Sequence, residues 1–243
     1  AASDKEPWGM TTPDATFIAI DCANCNSHPD RHQTLVETFV KHPGHMHGQP
    51  LQVVICKRCG LAFLDPQPSA QSIGHFYEKE YYSEGPSLNP ERLFRRTAWQ
   101  KPVLYDWIAK HTPEIRDWRI IDVGCGYGEW MRYFDSSNTL VGVEQSEQAA
   151  SFATEELGAH VICKDFMETG LEPNQFDLIT GLAMVEHFLE PLKAAVEMNR
   201  IAKPGGYVYL RTPDLHGLVV RRGLEYFFKV VHTYYFTVTT LSS

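Results

Sequence analysis

The stretch Ile120-Ile-Asp-Val-Gly-Cys-Gly-Tyr-Gly128 joins a short apolar run to three glycines at alternate positions. Residues 119–123 are rich in β-branched side chains and end at a glycine, which predicts a buried strand. A helix is predicted to follow over 127–135. Glycine adopts positive φ freely and lets a ligand approach the main chain, so the turn between strand and helix predicts a binding loop. The N-terminus of the helix would add unpaired N–H groups to it.

The spacing of the glycines separates two classes of ligand. Dinucleotide-binding loops follow the pattern Gly-x-Gly-x-x-Gly and hold a pyrophosphate at the helix N-terminus. Here Gly128 comes one residue early, and Asp122 precedes the loop, where its carboxylate would repel a pyrophosphate. The same carboxylate would attract a unit cation at ~4 Å by about 4 kcal/mol in a partly screened site. S-adenosylmethionine carries an ammonium and a sulfonium but no phosphate, and it fits this loop better.

Five motifs resemble class I S-adenosylmethionine-dependent methyltransferases, and they occur in the order of that family. Asp122 to Gly128 resembles the first motif, Val141 to Glu144 the second strand with its terminal acid, Lys164 to Phe166 the acid after the third strand, Phe176 to Leu182 the fourth strand and Lys203 to Gly206 the turn before the fifth. The resemblance spans about half of the chain. It implies a Rossmann-like methyltransferase fold, and the alternative is a structural glycine turn without a cofactor.

The alternation of strands and helices also indicates an α/β fold with a doubly wound, mostly parallel sheet. We predict strands at 119–123, 139–144, 160–164, 176–182 and 206–212, and helices near 127–135, 146–157 and 190–202. Ligands of such sheets lie outside the carboxyl ends of the strands. Family members usually continue beyond this chain into a further helix and an antiparallel hairpin. We therefore expect a truncated C-terminal part and a shortened sheet of about five parallel strands.

The predicted cofactor contacts lie at these strand ends. Glu144 is placed to accept the ribose hydroxyls, and Asp165 to accept from the adenine amino group, with Phe166 against the ring. The predicted set is Asp122, Gly124, Cys125, Gly126, Gly128, Glu144, Gln145, Asp165, Phe166 and Leu182. For either acid the alternative is an ordinary loop carboxylate. Cys125 and Cys163 are also expected to be buried core thiols.

Glu186-His187 follows the fourth strand and supplies the predicted catalytic residues, with His232 as a second histidine for the same cleft. Histidine has a pKa near ~6.5, which suits removal of a proton at neutral pH. The family often has Glu-His here, and the resemblance to some sugar methyltransferases implies a general base at His187. Other relatives place a metal at Glu-x-x-Glu-His, but Ala183 replaces the first acid, which argues against that version. The alternative is that His187 caps the following helix.

Two Cys-x-x-Cys pairs, Cys22 with Cys25 and Cys56 with Cys59, precede the sheet. Four thiolates meet the tetrahedral preference of Zn²⁺, so the pattern predicts a structural zinc site in a small zinc-ribbon-like module. The alternative is two unrelated thiol motifs. The segments from Cys59 to Pro68 and from Phe76 to Tyr82 resemble small methyltransferases of sugar and polysaccharide biosynthesis. Candidate substrate contacts in the connector are Tyr77, Tyr81, Tyr82 and Arg95 or Arg96, and the alternative for most of them is a packing or solvated residue.

Composition restricts the partners. The chain has 243 residues, 43% hydrophobic and 12% aromatic, and a net charge of −8. This balance supplies a packed core and argues against a large nucleic-acid or anionic-membrane surface. No apolar run approaches ~20 residues, and no signal peptide opens the chain, so we expect a soluble cytoplasmic protein. We predict a flexible leader at 1–16, a zinc-binding module at 17–68, a helical connector or lid at 69–117 and the methyltransferase domain at 118–243.

The sequence therefore predicts a methyltransferase that uses S-adenosylmethionine and acts on a small molecule, with a sugar or sugar nucleotide as the acceptor suggested by the resemblance. Three alternatives stay open. The first is an RNA or protein methyltransferase whose zinc module docks the substrate, and the second is a nicotinamide-dependent oxidoreductase. The third is a non-catalytic module that binds the cofactor only. The sequence leaves the oligomeric state open.

Overall fold

The computed structural model describes residues 15–40, 46–81, 89–217 and 228–242. Most of the predicted leader, and Tyr82, lie outside the described residues. Thr16, at the end of that leader, is tied to the connector: its backbone N–H donates to Ser72 Oγ at 2.9 Å and its carbonyl accepts from the N–H of Ser69 at 2.8 Å. Within the described ranges, no helix combines the length and the apolar composition that a bilayer crossing requires.

The N-terminal module is an antiparallel assembly of short strands. Its strands are β1 (Phe17–Ile18), β2 (His32–Phe39), β3 (Pro50–Cys56), β4 (Ala62–Leu64) and β5 (Gln67–Pro68). Strands β2, β3 and β4 form one sheet, and β1 pairs with β5. Each Cys-x-x-Cys turn closes with a backbone bond to its first cysteine, from Asn26 N–H to Cys22 O at 2.8 Å and from Gly60 N–H to Cys56 O at 2.9 Å. Asn26 and Gly60 both have positive φ, which asparagine and glycine tolerate best.

The described part of the connector contains three α-helices. Helix α1 (Ala70–His75) starts at Ser69, whose side chain accepts from the N–H of Ser72, and it continues into a π-helical turn, Phe76–Glu80. Helices α2 (Pro90–Thr97) and α3 (Gln100–His111) follow. Pro102 lies in the first turn of α3, where its missing N–H costs no helical hydrogen bond.

The central sheet consists of five parallel strands, which confirms the predicted Rossmann-like architecture. They are β6 (Arg119–Val123), β7 (Thr139–Glu144), β8 (His160–Cys163), β9 (Phe176–Leu182) and β10 (Ala202–Arg211), in the order β10-β9-β6-β7-β8. Helices α4 (Glu147–Leu157) and α5 (Pro191–Ile201) connect them. The chain runs outward from β6 through β7 to β8 and then returns to the other side of β6 as β9. This change of direction puts the ligand crevice at the carboxyl end of β6.

Alternate side chains of the central strands pack on opposite faces of the sheet. Ile120 and Leu178 belong to a cluster with Ile108 of α3, whereas Ile121 and Ile179 belong to the cluster that packs against α5. The sheet is therefore covered on both faces, as a parallel sheet requires. This burial fixes the strand register and with it the positions of the residues that follow each strand.

The helix predicted over 127–135 is wrong. The described chain forms turns there, with only a 3-10 turn at Met131–Tyr133. Tyr127, Trp130, Met131 and Phe134 are all buried, and their i, i+3, i+4, i+7 spacing is that of one helix face, so the local pattern favoured a helix that the structure does not form. Gly126 and Gly128 also have positive φ, which stops helix propagation. The loop after β6 is therefore not backed by a helix N-terminus.

The C-terminal segment returns to the N-terminal module. Strand β11 (Tyr234–Tyr235) pairs antiparallel with β4 and becomes the fourth strand of the module's sheet, before a short helix α6 (Val238–Leu241). Residues from the end of the predicted methyltransferase domain at 118–243 thus complete the module predicted at 17–68. Among the described residues, β10 is an edge strand of the central sheet.

Candidate active site and thiol cluster

The loop after β6 has the backbone that its glycines predict. Gly124, Gly126 and Gly128 have φ values of 71°, 55° and 75°. A Cβ on Gly128 would lie 2.4 Å from Leu157 Cδ1 and 3.3 Å from Ala153 Cβ, both on α4. A Cβ on Gly124 would lie 2.9 Å from Met184 Cγ. Both glycines are therefore required by close packing as well as by conformation.

A polar rim joins the carboxyl ends of β6, β7 and β8. Glu144 Oε2 accepts from the N–H of Gly126 at 3.0 Å, and Oε1 accepts from the N–H of Ser146 at 2.9 Å. The side-chain amide of Gln145 donates to Asp165 Oδ2 at 2.9 Å. The structure thus brings together Gly126, Glu144, Gln145 and Asp165, which the sequence placed separately. Each carboxylate oxygen can accept a second hydrogen bond, so these bonds leave capacity for hydroxyl and amino groups of a ligand.

Asp122 is buried at the end of β6. Its Oδ1 accepts from the hydroxyl of Thr180 at 2.7 Å, across the neighbouring strand β9. Thr180 is absent from the predicted site because a threonine inside a strand carries no local signal of function. The bond fixes the carboxylate directly before the glycine loop, where its charge opposes a pyrophosphate and favours a cation.

The side chains of three predicted cofactor contacts pack against other residues of the protein. Phe166 is 3% exposed and lies in the α5-side core, with its ring 6.0 Å from that of Phe188. Cys125 is buried against Gly142, where a Cβ would lie 2.7 Å from its sulfur. Leu182 packs with the α3-side cluster. Cys125 is a core thiol, as expected, but the expectation that Cys163 is buried is wrong, because Cys163 is exposed at the end of β8.

The predicted catalytic residues converge at one place. Glu186 and His187 lie in the 3-10 turn Val185–His187, and the His187 ring is 4.8 Å from that of His232. The hydroxyl of Tyr77 lies 2.5 Å from His187 Nδ1. Nε2 of His187 is 3.9 Å from Glu186 Oε1, too far for a hydrogen bond. Helix α5 starts after Glu190, so His187 does not cap it.

Burial sets the protonation of this cluster. It lowers the pKa of His187 to about 4, although the carbonyl of Val231 opposes the shift, and it holds the pKa of His232 well below its usual value. It raises the pKa of Glu186 to about 7, against opposing effects of Thr212 and Arg211. His187 is therefore neutral at pH 7. The tautomer decides which partner donates in the contact with Tyr77; in the form whose Nδ1–H donates to the Tyr77 oxygen, Nε2 carries a lone pair that can accept a proton.

The four cysteines of the two Cys-x-x-Cys pairs lie close together. Cys22 Sγ lies 3.5 Å from Cys59 Sγ, and Cys25 Sγ lies 3.6 Å from Cys56 Sγ. All four sulfurs lie within 4.8 Å of one another. A tetrahedral ion with bonds of ~2.3 Å needs sulfur–sulfur distances of about 3.8 Å. The donor set and its spacing thus fit Zn²⁺.

The fold and this site define the class of the domain. A buried acid directly before the glycine loop opposes a dinucleotide, and the crevice beyond the loop lies at the switch point of a doubly wound sheet. This is the arrangement of class I S-adenosylmethionine-dependent methyltransferases, and the chain contains a domain of that class. Residues 121–210 match the family described as methyltransferase domain.

Curated proteins that are similar to this chain are also named as methyltransferases. The chain is similar to the ubiquinone biosynthesis O-methyltransferase of Leptothrix cholodnii, with 27% identity over 59% of this chain and 66% of that protein. It is also similar to the enzyme of the same name from an Azoarcus species, with 30% identity over 51% of this chain and 56% of that protein. The chain thus spans between about half and two thirds of the length of these relatives.

A solved structure supports the fold. A chain of the complex between the Trm112 methyltransferase activator and a putative methyltransferase from Haloferax volcanii matches with a TM-score of 0.50. The match covers 59% of this chain and 66% of that one, at 14% identity. At this identity the likeness concerns the fold alone.

Proposed function

We propose that this protein is a methyltransferase that transfers a methyl group from S-adenosylmethionine to a hydroxyl of a small-molecule acceptor. The hydrogen bond from the N–H of Gly126 to Glu144 carries the proposal, since it joins the glycine loop to the acid of the next strand. Asp122, Gly126, Glu144, Gln145 and Asp165 would hold the cofactor. When bound, S-adenosylmethionine supplies a methyl group that is already activated on a sulfonium. The chain then contributes position and orientation.

A hydroxyl acceptor starts protonated, so its methylation gains from a base. We assign this role to Nε2 of His187, which receives the proton while Nδ1 is held by Tyr77. His232 and Glu186 complete the wall of this cleft. The names of the curated relatives, ubiquinone biosynthesis O-methyltransferases, support transfer to oxygen on a small molecule. The resemblance of the N-terminal segments supports a sugar or sugar nucleotide as the first acceptor class to test.

We further propose that Cys22, Cys25, Cys56 and Cys59 hold one structural Zn²⁺. The spacing of the four sulfurs supports this assignment. The ion would fix the two Cys-x-x-Cys turns relative to each other. Through the pairing of β4 with β11 it would also stabilise the segment that contains His232. A cytoplasmic location belongs to the same proposal, because thiolates persist as metal ligands in a reducing compartment.

A second candidate function is an RNA methyltransferase, favoured by one surface feature. A surface cavity of the N-terminal module is lined by three basic residues, Arg31, Lys57 and Arg58, together with Ser27, His28 and Asp30. Binding of RNA here would be strongly salt-dependent, since it would release counterions. The net charge of −8 opposes this function. Filter binding of labelled RNA at several salt concentrations tests it directly.

The decisive experiment has two steps. Calorimetry of the purified full chain should detect S-adenosylmethionine and no binding of NADH; the reverse result would overturn the assignment. Release of S-adenosylhomocysteine is then measured across sugar nucleotides, free sugars, ubiquinone precursors and RNA. We expect turnover with a small hydroxylated acceptor and a loss of about 10²-fold in kcat for His187→Asn. Cofactor binding without turnover on any acceptor would indicate a binding module.

A further inference from the structure

The hydroxyl of Thr233 contacts the backbone on both sides of His187. It lies 3.1 Å from the carbonyl oxygen of Glu186 and 2.8 Å from that of Phe188. Thr233 is fully buried, and a hydroxyl carries one proton, so the two carbonyls share this donor. The N–H of His187 itself donates to the carbonyl of Met184 at 2.9 Å. The backbone that carries the candidate base is therefore held by a side chain of the C-terminal segment.

Tyr234 adds a second bond to the same stretch of backbone. Its hydroxyl donates to the carbonyl of Leu189 at 3.2 Å. Burial raises the pKa of this phenol to about 12, so the hydroxyl keeps its proton at pH 7 and remains a donor. Tyr234 and Val185 belong to one buried cluster with Cys22 and Cys56. Apolar packing thus joins the N-terminal module to the turn that carries the candidate base, next to the polar contacts.

The backbone of Thr233 is held by the N-terminal module. Its carbonyl accepts from the N–H of Leu64, on β4, at 3.0 Å and from the side-chain amide of Gln67 at 3.3 Å. Gln67 is buried, and β11, which follows Thr233 directly, pairs with β4. Thr233 therefore connects two parts of the protein through its own polar groups. Its carbonyl binds the module, and its hydroxyl binds the turn at Val185–His187.

The position of this turn matters for the reaction, because a displacement of about 1 Å can lower a rate about 10²-fold. Tyr77 holds the ring of His187 at Nδ1, whereas Thr233 holds the backbone from which the ring extends. We propose that Thr233, assisted by Tyr234, is a positioning residue that aligns Nε2 of His187 with the acceptor hydroxyl. Thr233 acts through His187, so this inference rests on the proposed function, in which His187 is the base.

The test is a double-mutant cycle on kcat in the full chain. Thr233→Val removes the hydroxyl at nearly constant shape, and we expect kcat to fall about tenfold while the Kd of S-adenosylmethionine stays unchanged. In the His187→Asn background the same substitution should cost less than about twofold, because the group that it aligns is gone. Thr233→Ser keeps the hydroxyl and should restore most of the lost kcat. Equal fold-losses in the two backgrounds, or an unchanged kcat in Thr233→Val, would overturn the proposal.

Thr112→Val is the matched control for the loss of a hydroxyl. Thr112 also donates to a backbone carbonyl, that of Ile108 at 3.0 Å, at the end of α3. It should leave kcat unchanged, and a loss as large as that of Thr233→Val would count against the proposal. If circular dichroism shows that Thr233→Val does not fold, Tyr234→Phe replaces it in the cycle. Its expected loss is about threefold, confined in the same way to the protein that keeps His187.

A measurement without turnover separates this inference from the proposed function. In protein labelled with ¹⁵N in the histidine rings, Thr233→Val should shift the ring signals of His187, which the spectrum of His187→Asn identifies. The ring of His232 lies 4.8 Å from that of His187, so its signals should shift as well. Unchanged His187 signals would overturn the positioning role. If no acceptor is methylated, the proposed function fails, and these spectra still decide whether Thr233 positions the imidazole.

Discussion

The hydroxyl of Tyr77 lies 2.5 Å from Nδ1 of His187 and joins the connector to the turn after β9. Burial raises the pKa of the Tyr77 phenol well above its usual value, so the group is neutral at pH 7. A neutral phenol can accept from Nδ1–H and so orient the imidazole without charging it. The connector therefore contributes a side chain to the candidate site.

Tyr77→Phe is the first prediction. Loss of the hydroxyl leaves Nδ1 without its described side-chain partner, so we expect kcat to fall about tenfold while the Kd of S-adenosylmethionine stays unchanged. Steady-state kinetics and calorimetry measure the two quantities. Tyr133→Phe is the matched control, because its hydroxyl bonds at an exposed position to Ala98. An equal loss in both variants would contradict the orienting role.

Asp122→Asn tests the charge before the glycine loop. Asparagine can still accept from Thr180, so the fold should persist while the attraction for a cation disappears. We expect the Kd of S-adenosylmethionine to rise about tenfold, or about 1.4 kcal/mol, and that of S-adenosylhomocysteine, which keeps the ammonium but lacks the sulfonium charge, to rise less. Calorimetry with both ligands decides. Equal weakening of both would mean that Asp122 does not act on the sulfonium charge.

Gly128→Ala should strongly destabilise the protein. Its φ is 75° and the new Cβ would meet Leu157 at 2.4 Å, so strain and overpacking combine to about 2–4 kcal/mol. Gly158→Ala is the matched control, since its φ is 61° and nothing lies within 4 Å of an added Cβ. It should cost only about 1–2 kcal/mol. Urea unfolding monitored by circular dichroism measures the free energy of unfolding of both variants. Equal losses in the two variants would mean that the close contact with Leu157 adds nothing to the cost at Gly128.

Removal of metal from the thiol cluster should unfold the N-terminal module. We expect Cys59→Ser to lose one zinc ion per chain and to lower the Tm, because a structural site contributes folding energy directly. Cys163→Ser is the control, because that thiol is exposed and lies outside the cluster. Elemental analysis and thermal unfolding measure the two effects. Full zinc content in Cys59→Ser would contradict the assignment.

The lowered pKa of the Asp177 carboxyl predicts that the protein loses stability in acid. Burial alone would raise the pKa of its carboxyl, but Lys203 and the N–H of Arg119 outweigh that effect and lower it. A lowered folded pKa stabilises the protein above the unfolded pKa of ~3.9, and this stability is lost as pH falls through the folded value. Thermal unfolding from pH 6 to pH 3 should therefore decline less steeply for Asp177→Asn. Parallel curves for both proteins would exclude this contribution.

Local sequence patterns predicted much of the fold because their causes are local. The parallel strands follow from short apolar runs between breakers, and the conformation of the loop follows from Gly124, Gly126 and Gly128. The helix predicted over 127–135 failed for a tertiary reason. Trp130 and Phe134 are buried among α3 and the central strands, and that packing overrides the local preference for helix.

The sequence by itself determined the doubly wound sheet, the glycine loop with its acid and the pairing of the four cysteines into two Cys-x-x-Cys motifs. Each of these features depends on patterns of residues that are close together along the chain. Only the tertiary structure decided that Tyr77 and His232 meet His187 and that β11 completes the N-terminal module. The physical reason is that these contacts join segments far apart in sequence. Such contacts are selected by the burial of whole surfaces, and no local pattern encodes them.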